Sequence, residues 1–381
     1  MNLAFQFVRF GVLAVVTVAL LFVAGVFAFI PGERRAAAAP AVISADEAAA
    51  TLAALKPPMR ARPVVALVGA SGGTETTDYL VPYGVLKRSG VADVFALGTK
   101  SGPVSLMPAL TVVPDATTAE FVRRYPDGAD YVIVPALHDP TDVDVRDFIR
   151  AQAARGATIV SICDGTLVMA NAGLLDGHNA TGHWFHIDGV AAAHPTMHRV
   201  RDRRYVADRG IVTTTGVSAS VPVSLALVEA IGGRERATAL AQEIGARGWS
   251  AEHDSGAFHL IRDDVWMILG NLFLGLIHGE TIGVRATDGA DVIAVAFMAD
   301  SYGRTFRSRA VVLGSAPVRT AEGLQILPDA GATPDVVVDL PRDQPAFALD
   351  SALAGIKARY GGATSAFVRV QLEDRGHATG R

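Results

Sequence analysis

The chain has 381 residues, a formal net charge of −4 and a hydrophobic fraction of 50%. This composition excludes a disordered chain, and the slightly acidic balance gives no basic footprint for nucleic acid. The single cysteine excludes an intramolecular disulfide framework and a four-thiolate zinc site.

The first feature along the chain is an uncharged apolar run over residues 10–30, which reads FGVLAVVTVALLFVAGVFAFI. About 20 apolar residues suffice to cross a bilayer as a helix, and the apolar core of a cleaved signal peptide is shorter. We therefore expect residues 1–31 to be a transmembrane anchor or signal-anchor, with the soluble domain on the periplasmic, extracytoplasmic side. Basic residues flank the run on both sides, so a cytoplasmic orientation stays open. Residues 32–61, rich in alanine and proline, are predicted to be a linker.

Apolar runs and helical stretches alternate beyond this linker. The runs around Val64, Val94, Val132 and Ile159 are continuous, as is typical of strands buried in a parallel sheet. Glycine-bounded amphipathic stretches between them indicate helices. The alternation predicts an α/β domain over residues 62–249, built as a doubly wound parallel sheet sandwich.

Patterns become weaker toward the C-terminus. The stretch 204–216 predicts a hairpin, and residues 250–381 are predicted to be a C-terminal extension. The apolar stretch 265–277 predicts a buried helix, with contact to a membrane surface as the alternative. Segments 95–116 and 311–330 share the letters LG, PV and PDA at similar spacing, which suggests a degenerate half repeat. A chance match between two strand–loop–strand units is the alternative.

The only cysteine lies where an apolar strand is followed directly by a helix, in VSICDGTLVMANAGLLDGHNATGHW. Such a turn at Cys163 makes a nucleophile elbow and presents the sulfur at the carboxyl end of the sheet, where open α/β folds bind ligands. The N–H groups at the start of the helix are expected to favour a thiolate, and Gly165 leaves room for a substrate. A buried cysteine that serves as a small hydrophobe is the alternative.

This stretch resembles the cysteine elbow of the DJ-1/PfpI superfamily, which has a class I glutamine amidotransferase-like, flavodoxin-like fold. It is most similar to the GlxA-type branch, and the similarity runs from Val64 to Gly245, including GTETTDYLVPYGVL, YVIVP and VTTTGVSASVPVSLALVE. The resemblance implies thiolate chemistry on a small carbonyl, amide or isonitrile-type substrate, of hydrolase, hydratase or glyoxalase type. A non-catalytic ligand- or redox-sensing module is the alternative.

The resemblance also bears on partners. The helix-turn-helix region that often follows this domain in GlxA-type proteins has no evident counterpart in this sequence. We therefore expect a small-molecule partner, the membrane through residues 10–30, and no nucleic acid. A homodimer stays open.

The resemblance implies roles for three side chains. Cys163 matches the nucleophile of the family. Asp78, four residues before Pro82, matches the acid that hydrogen-bonds to the cysteine sulfur. His183 in ATGHW matches a histidine that lies near the cysteine in many members.

The resemblance further implies an oxyanion site formed by the backbone N–H groups of Asp164, Ala136 and Leu137. The chain departs from the family pattern at these positions. Family members carry Thr or His in place of Asp164, and paired glycines in place of Ala136 and Leu137. Gly182 replaces the second threonine of the usual T-T-H. The carboxylate of Asp164 is expected to raise the pKa of the adjacent thiol.

Other polar residues are expected to be structural, and neither a cofactor nor a metal is expected. The segment 216–220, GVSAS, mimics a serine elbow but lacks its final glycine. Glu75 is expected in the loop before a helix. Five histidines lie close together in the sequence and are expected to be solvated at the surface: His178, His183, His186, His194 and His198.

Overall fold

The computed structural model describes residues 30–35 and 38–375. The helices in this part of the chain are α1 (Ala45–Ala54), α2 (Thr76–Ser89), α3 (Thr118–Arg124), α4 (Val143–Ala154), α5 (Gly165–Asn171), α6 (Ile187–Ala193), α7 (Ser220–Gly232), α8 (Arg234–Ile244), α9 (Arg262–His278), α10 (Val292–Gly303), α11 (Ala348–Tyr360) and α12 (Gly362–Leu372).

The strands in the same residues are β1 (Val64–Gly69), β2 (Thr74–Glu75), β3 (Asp93–Gly98), β4 (Val104–Met107), β5 (Thr111–Val113), β6 (Ala116–Thr117), β7 (Tyr131–Val134), β8 (Thr158–Ser161), β9 (Asn179–Ala180), β10 (His198–Arg199), β11 (Tyr205–Asp208), β12 (Ile211–Thr214), β13 (Glu280–Arg285), β14 (Ser308–Val312), β15 (Val318–Arg319), β16 (Gln325–Ile326) and β17 (Val336–Asp339).

The main sheet has seven strands in the order β11-β12-β8-β7-β1-β3-β6. Val94 on β3 pairs with β1, Val132 on β7 pairs with both β1 and β8, and Ile159 lies on β8. These pairings are parallel, and only β11 runs antiparallel, as one arm of the predicted hairpin with β12. These parallel pairings confirm the predicted sheet. Its continuous apolar runs are buried on both faces.

Both faces of the sheet are covered by helices, which confirms the doubly wound α/β fold. Residues of α3, α4, α5 and α6 form one apolar core with one face of the sheet. Residues of α2, α7, α8, α10, α11 and α12 form a larger core with the other. The second core includes residues from the C-terminal part of the chain, so that part covers one face of the α/β sheet.

The C-terminal residues add a small parallel sheet in the order β14-β13-β17 and a β15–β16 hairpin that pairs with β5. Helix α10 lies close to α2 at Gly84. A Cβ on Gly84 would lie 2.7 Å from side-chain atoms of Val292 and Ile293. The domain boundary near residue 249 and the half repeat stay predictions.

The predicted membrane anchor is contradicted. No helix in the part of the chain that the structure describes is long and apolar enough to cross a bilayer. Most of the apolar run, residues 10–29, lies outside the described residues. The longest apolar helix described, α9, has 17 residues and begins with the acidic pair Asp263 and Asp264, and a span needs about 20 apolar residues. The extracytoplasmic location and the membrane partner, which were inferred from the anchor, are corrected with it.

Helix α9 also differs from its prediction as a buried helix. Its Asn271 is buried and donates to the Thr305 carbonyl at 3.0 Å. On another face, Trp266 is 62% exposed and Leu276 is 86% exposed. A stretch that is apolar on nearly all sides predicts a helix buried on all sides. In the structure, the described residues cover only part of this helix.

Candidate active site

The chain reverses at Cys163 in a conformation that L-residues rarely adopt. Strand β8 ends at Ser161, Cys163 has a φ of 55°, and α5 begins at Gly165. The Cys163 N–H donates to the Thr215 carbonyl at 3.1 Å and to Oγ1 of Thr214 at 3.2 Å. A left-handed residue that is not glycine costs about 1–2 kcal/mol. Strain of this kind persists only where the surroundings fix it, and it is concentrated at functional sites.

Gly165 is required by the same turn. A Cβ at this position would lie 2.1 Å from the carbonyl oxygen of Val134, the last residue of β7. No side chain fits at that distance, so only glycine lets α5 begin directly against the neighbouring strand. The sequence order strand–Cys–Asp–Gly–helix therefore specifies the elbow, as predicted.

The sulfur is more enclosed than expected. Cys163 is only 5% exposed, although the elbow was expected to present its sulfur at the carboxyl end of the sheet. Burial raises the pKa of the Cys163 thiol well above its usual range, and the charges of Asp78, Asp164 and Glu75 raise it further against the opposing effect of Arg304. Burial and these charges therefore oppose the thiolate that the start of α5 was expected to favour. A thiol at rest needs a proton acceptor before it can react.

Glu75 and Asp78 form a buried acid pair near the sulfur. Glu75 is the N-cap of α2 and accepts a hydrogen bond of 2.5 Å from the Asp78 N–H. Burial raises the pKa of Asp78 to about 7 and that of Glu75 well above its usual range, the latter with help from the charge of Asp78. The pair therefore retains a proton near neutral pH.

Asp78 does not make the predicted contact with sulfur. Among the described residues its Oδ2 accepts from the Ala136 N–H at 3.1 Å, while its Oδ1 is buried without a hydrogen-bond partner. No hydrogen bond between Asp78 and the sulfur of Cys163 is present among these residues. The acid acts on Cys163 through its charge and its proton rather than through a formed bond.

Arg304, from the C-terminal part of the chain, forms hydrogen bonds with two acidic side chains, those of Glu75 and Asp300. The Arg304 Nη2 donates to Oε1 of Glu75 at 2.5 Å, and its Nε donates to both oxygens of Asp300 at 3.0 Å. Thr77 Oγ1 donates to Asp300 at 3.1 Å. Burial alone would lower the pKa of Arg304, but Asp300 and Glu75 raise it, so the guanidinium stays charged.

Arg304 and Asp300 are not among the site residues predicted from the sequence, and Glu75 was expected only in the loop before a helix. Arg304 is 229 positions from Glu75 and lies beyond the family resemblance. The sequence alone offered one clue, an Asp and an Arg four residues apart at the end of an apolar helix, which is the spacing of an ion pair. Nothing in that spacing identified Glu75 as the partner.

His183 offers the free proton acceptor of the site. Its Nε2 lies 3.0 Å from the Gln371 carbonyl oxygen. Since a carbonyl only accepts, Nε2 donates to it, and in the neutral form of the ring the lone pair then lies on Nδ1. That Nδ1 is buried and has no hydrogen-bond partner among the described residues. A ring nitrogen of His183 and the Cys163 sulfur lie within 4.8 Å of each other, which makes His183 a candidate acceptor of the thiol proton.

Asp164 lies between two histidines. Its Oδ2 is 2.7 Å from His186 Nδ1 and 3.9 Å from His183 Nδ1. The hydrogen bond to Asp164 raises the pKa of His186. The acid that departs from the family pattern is therefore held by a hydrogen bond with His186.

The expected oxyanion donors are only partly available. The Ala136 N–H is engaged by Asp78, as described above. The N–H groups of Asp164, at the start of α5, and of Leu137 are the remaining candidates. Ala136 and Leu137 are each 7% exposed. Their side chains take up space beside the candidate oxyanion donors that the expected glycines would leave open.

The serine elbow and the wider histidine cluster do not form a second site among the described residues. Ser218 Oγ donates to the Glu373 carbonyl at 2.7 Å and Ser220 Oγ donates to the Val217 carbonyl at 2.7 Å. Only His183 and His186 of the five histidines approach Asp164, while His178 lies against Asp208.

The residues at the end of α12 cover the site. We call Val370–Glu373 the closing segment. Its carbonyls accept from His183, as above, and from Trp184 Nε1 at 2.8 Å, and Glu373 Oε1 accepts from the Trp184 N–H at 2.6 Å. Glu373 also lies 3.1 Å from His253 Nε2. Burial would raise the pKa of Glu373, but His253, His183 and the Trp184 N–H together lower it, so Glu373 is an ionised anchor.

The site residues predicted from the sequence, Cys163, Asp78 and His183 among them, lie within a region that matches known proteins. The sequence profile of the DJ-1/PfpI family matches residues 64–230. An isonitrile hydratase from Pseudomonas putida is 31% identical over 165 residues, which cover 42% of this chain and 68% of that protein. The Parkinson disease protein 7 homolog from Danio rerio is 25% identical, over 45% of this chain and 90% of that protein.

Regulators and solved structures are also similar to parts of the chain. The HTH-type transcriptional regulator GlxA from Rhizobium meliloti is 35% identical over 101 residues, but these cover only 31% of that protein. A ThiJ/PfpI family protein from Pseudomonas syringae, whose crystal structure is known, is 25% identical in sequence. The matched region covers 49% of this chain and 76% of that chain, with a TM-score of 0.43.

The first prediction concerns the buried guanidinium. Arg304→Gln leaves Glu75 and Asp300 without their cation, and breaking a buried ion pair costs about 3–5 kcal/mol. Glu75 and Asp78 have raised pKa values in the folded state, so the folded state binds protons more tightly than the unfolded state. Stability then falls as pH rises from the unfolded to the folded pKa. We expect urea unfolding to show a larger loss for Arg304→Gln at pH 8 than at pH 5.

Arg304→Lys keeps the charge and is the matched control for this comparison. It should lose less stability than Arg304→Gln at pH 8. Equal losses for Arg304→Gln at the two pH values would show that the guanidinium does not neutralise the acid pair.

The second prediction concerns access to the sulfur. Glu373→Ala removes the buried acceptor of the Trp184 N–H and the partner of His253. Leaving these groups unpaired lowers the stability of the closed arrangement by about 1–3 kcal/mol. Weaker closure should raise the rate of Cys163 alkylation by iodoacetamide about tenfold. The control Asp374→Ala removes the neighbouring ion pair with Arg369 and leaves the bonds of Glu373 to Trp184 and His253. If both variants react at the wild-type rate, the closing segment does not limit access.

Proposed function

Because this chain belongs to the DJ-1/PfpI family, we propose that it is a cysteine-dependent enzyme that hydrates or hydrolyses a small carbonyl, amide or isonitrile-type substrate. The observation that carries the proposal is Cys163 at a strained elbow, with its sulfur within 4.8 Å of a His183 ring nitrogen. A structural cysteine would need neither the left-handed backbone nor a free proton acceptor.

The reaction begins with removal of the thiol proton. His183 Nδ1, which has no other hydrogen-bond partner, takes this proton as the sulfur attacks the electrophilic carbon. Contact between Nε2 and the Gln371 carbonyl keeps the ring in the tautomer that this step needs. Generating the thiolate only during attack fits a thiol whose pKa burial raises.

The acid pair and Arg304 set the charge around the sulfur. Glu75 and Asp78 hold a proton that can pass to the substrate when negative charge develops there, and Arg304 limits repulsion between the acids and the sulfur. The N–H groups of Asp164 and Leu137 are our candidates for stabilising an oxyanion or a developing anion on nitrogen.

The enclosure of the sulfur limits the size of the substrate. Cys163 is 5% exposed and the closing segment covers His183 and Trp184. A substrate must therefore be small, or the closing segment must move aside. While the closing segment stays in place, the site favours compact electrophiles over peptides.

An isonitrile is the first substrate to test, because the similar protein from Pseudomonas putida is an isonitrile hydratase. The thiol adds its sulfur and its proton to the terminal isonitrile carbon and gives a thioimidate. Water then adds to the same carbon, the C–S bond breaks, and the thiol is restored. The product is an N-substituted formamide, and the whole reaction consumes one water.

A ligand-sensing role is the second candidate. It is favoured by the burial of the sulfur and by the similarity to transcriptional regulators over part of their length. In this case an electrophile or a small ligand would bind at the elbow without turnover. A redox sensor is less suited, since oxidation of cysteine requires an accessible thiolate. The lack of a nucleic-acid partner and the formation of a homodimer stay proposals for either role.

The third prediction tests the enzyme directly. The full chain is incubated with a small alkyl isonitrile or with methylglyoxal, and products are followed by NMR and adducts by intact mass. We expect turnover of one of them and a trapped adduct on Cys163. His183→Gln should reduce kcat by about 10²–10⁴, the usual contribution of a general base.

The exposed His198→Gln is the matched control and should keep full activity. An adduct that forms without turnover would favour the sensing role. Turnover that persists in Cys163→Ser would refute a cysteine-dependent reaction.

A further inference from the structure

Three potential metal ligands converge at the elbow. The Cys163 sulfur, a carboxylate oxygen of Asp164 and a ring nitrogen of His183 all lie within 4.8 Å of one another. Thiolate, imidazole and carboxylate are the three ligand types of protein zinc sites, with metal–ligand distances of about 2.0–2.3 Å. Tetrahedral ligands at such distances are separated by about 3.3–3.8 Å, so a small rotation of these side chains suffices to hold one ion.

The residues around the ligands have the arrangement that metal ligands need. A metal-bound histidine usually donates its other ring N–H to a carbonyl or a carboxylate, which fixes its orientation. His183 does this through Nε2 and the Gln371 carbonyl, at 3.0 Å. Asp164 is fixed in turn by His186 Nδ1, at 2.7 Å. The buried Nδ1 of His183 has no hydrogen-bond partner, so an electron pair is free to bind an ion.

Acidic groups also surround the ligands. Asp164 is itself a ligand, and Glu75 and Asp78 act on the Cys163 thiol electrostatically, opposed by Arg304. A divalent cation at the sulfur would stabilise the thiolate by its own charge.

We propose that Cys163, Asp164 and His183 form a site for one thiophilic divalent cation of the zinc class, with water as a fourth ligand. Binding replaces the S–H bond by a metal–sulfur bond, and the proton passes to solvent. The ion occupies both the nucleophile and its proton acceptor, so metal binding and covalent chemistry exclude each other. The site is a means of inhibition by metal, and no metal was expected from the sequence.

Cobalt(II) is the probe for this site, because a thiolate bound to Co²⁺ gives a near-ultraviolet charge-transfer band and a tetrahedral site gives strong visible bands. The purified full chain is titrated with Co²⁺ without any substrate. We expect both sets of bands to saturate at one equivalent and to disappear when Zn²⁺ is added. Zn²⁺ should also protect Cys163 from alkylation.

Variants distinguish the three ligands from other groups that bind metal. Cys163→Ser should abolish the near-ultraviolet band. Asp164→Asn and His183→Gln should weaken binding by at least about tenfold, since even loss of a supporting residue costs 10–100-fold. The control His198→Gln, an exposed histidine of the same region, should bind normally. Circular dichroism checks that each variant is folded.

The absence of a thiolate–cobalt band, or unchanged affinity in the folded His183→Gln variant, would overturn the inference. The test does not depend on the proposed reaction. A chain that binds cobalt but turns over no substrate would refute only the proposed enzyme, whereas turnover without metal binding would refute only this site.

Discussion

The left-handed backbone of Cys163 is the constraint on which the rest of the site depends. This conformation reverses the chain directly after β8, and it is possible because Gly165 lets the next helix begin against the Val134 carbonyl. Hydrogen bonds from the Cys163 N–H to β12 and its end hold the turn from the other side. The fold thus supplies about 1–2 kcal/mol of strain energy at the residue that we propose as the nucleophile.

Around that turn, the C-terminal part of the chain completes the environment of the sulfur. Arg304 compensates the buried acid pair, and the closing segment holds His183 through the Gln371 carbonyl. In the reaction that we propose, the buried thiol gives its proton to His183 as the substrate is attacked, which fits its raised pKa. The same enclosure, with Asp164 beside the sulfur, also makes the site attractive to a thiophilic cation.

The sequence allowed much of this framework to be predicted. Continuous apolar runs specify buried parallel strands, and strand–Cys–Asp–Gly–helix specifies the elbow, because both are properties of neighbouring residues. The burial of Cys163 and the bond from Arg304 to Glu75 were not predictable, since they arise when segments 229 positions apart pack together. The expected membrane anchor failed, and the exposed face of α9 shows that an apolar stretch does not by itself reveal what covers it.

The stability of two variants at position 163 tests the strained elbow most directly. In an ordinary buried site with negative φ, glycine is less stable than alanine by about 0.5–1 kcal/mol. At φ 55° only alanine bears the left-handed strain. Urea unfolding should therefore find Cys163→Gly as stable as Cys163→Ala or more stable, by up to about 1 kcal/mol. A glycine variant less stable than the alanine variant by about 1 kcal/mol would contradict a strained nucleophile elbow.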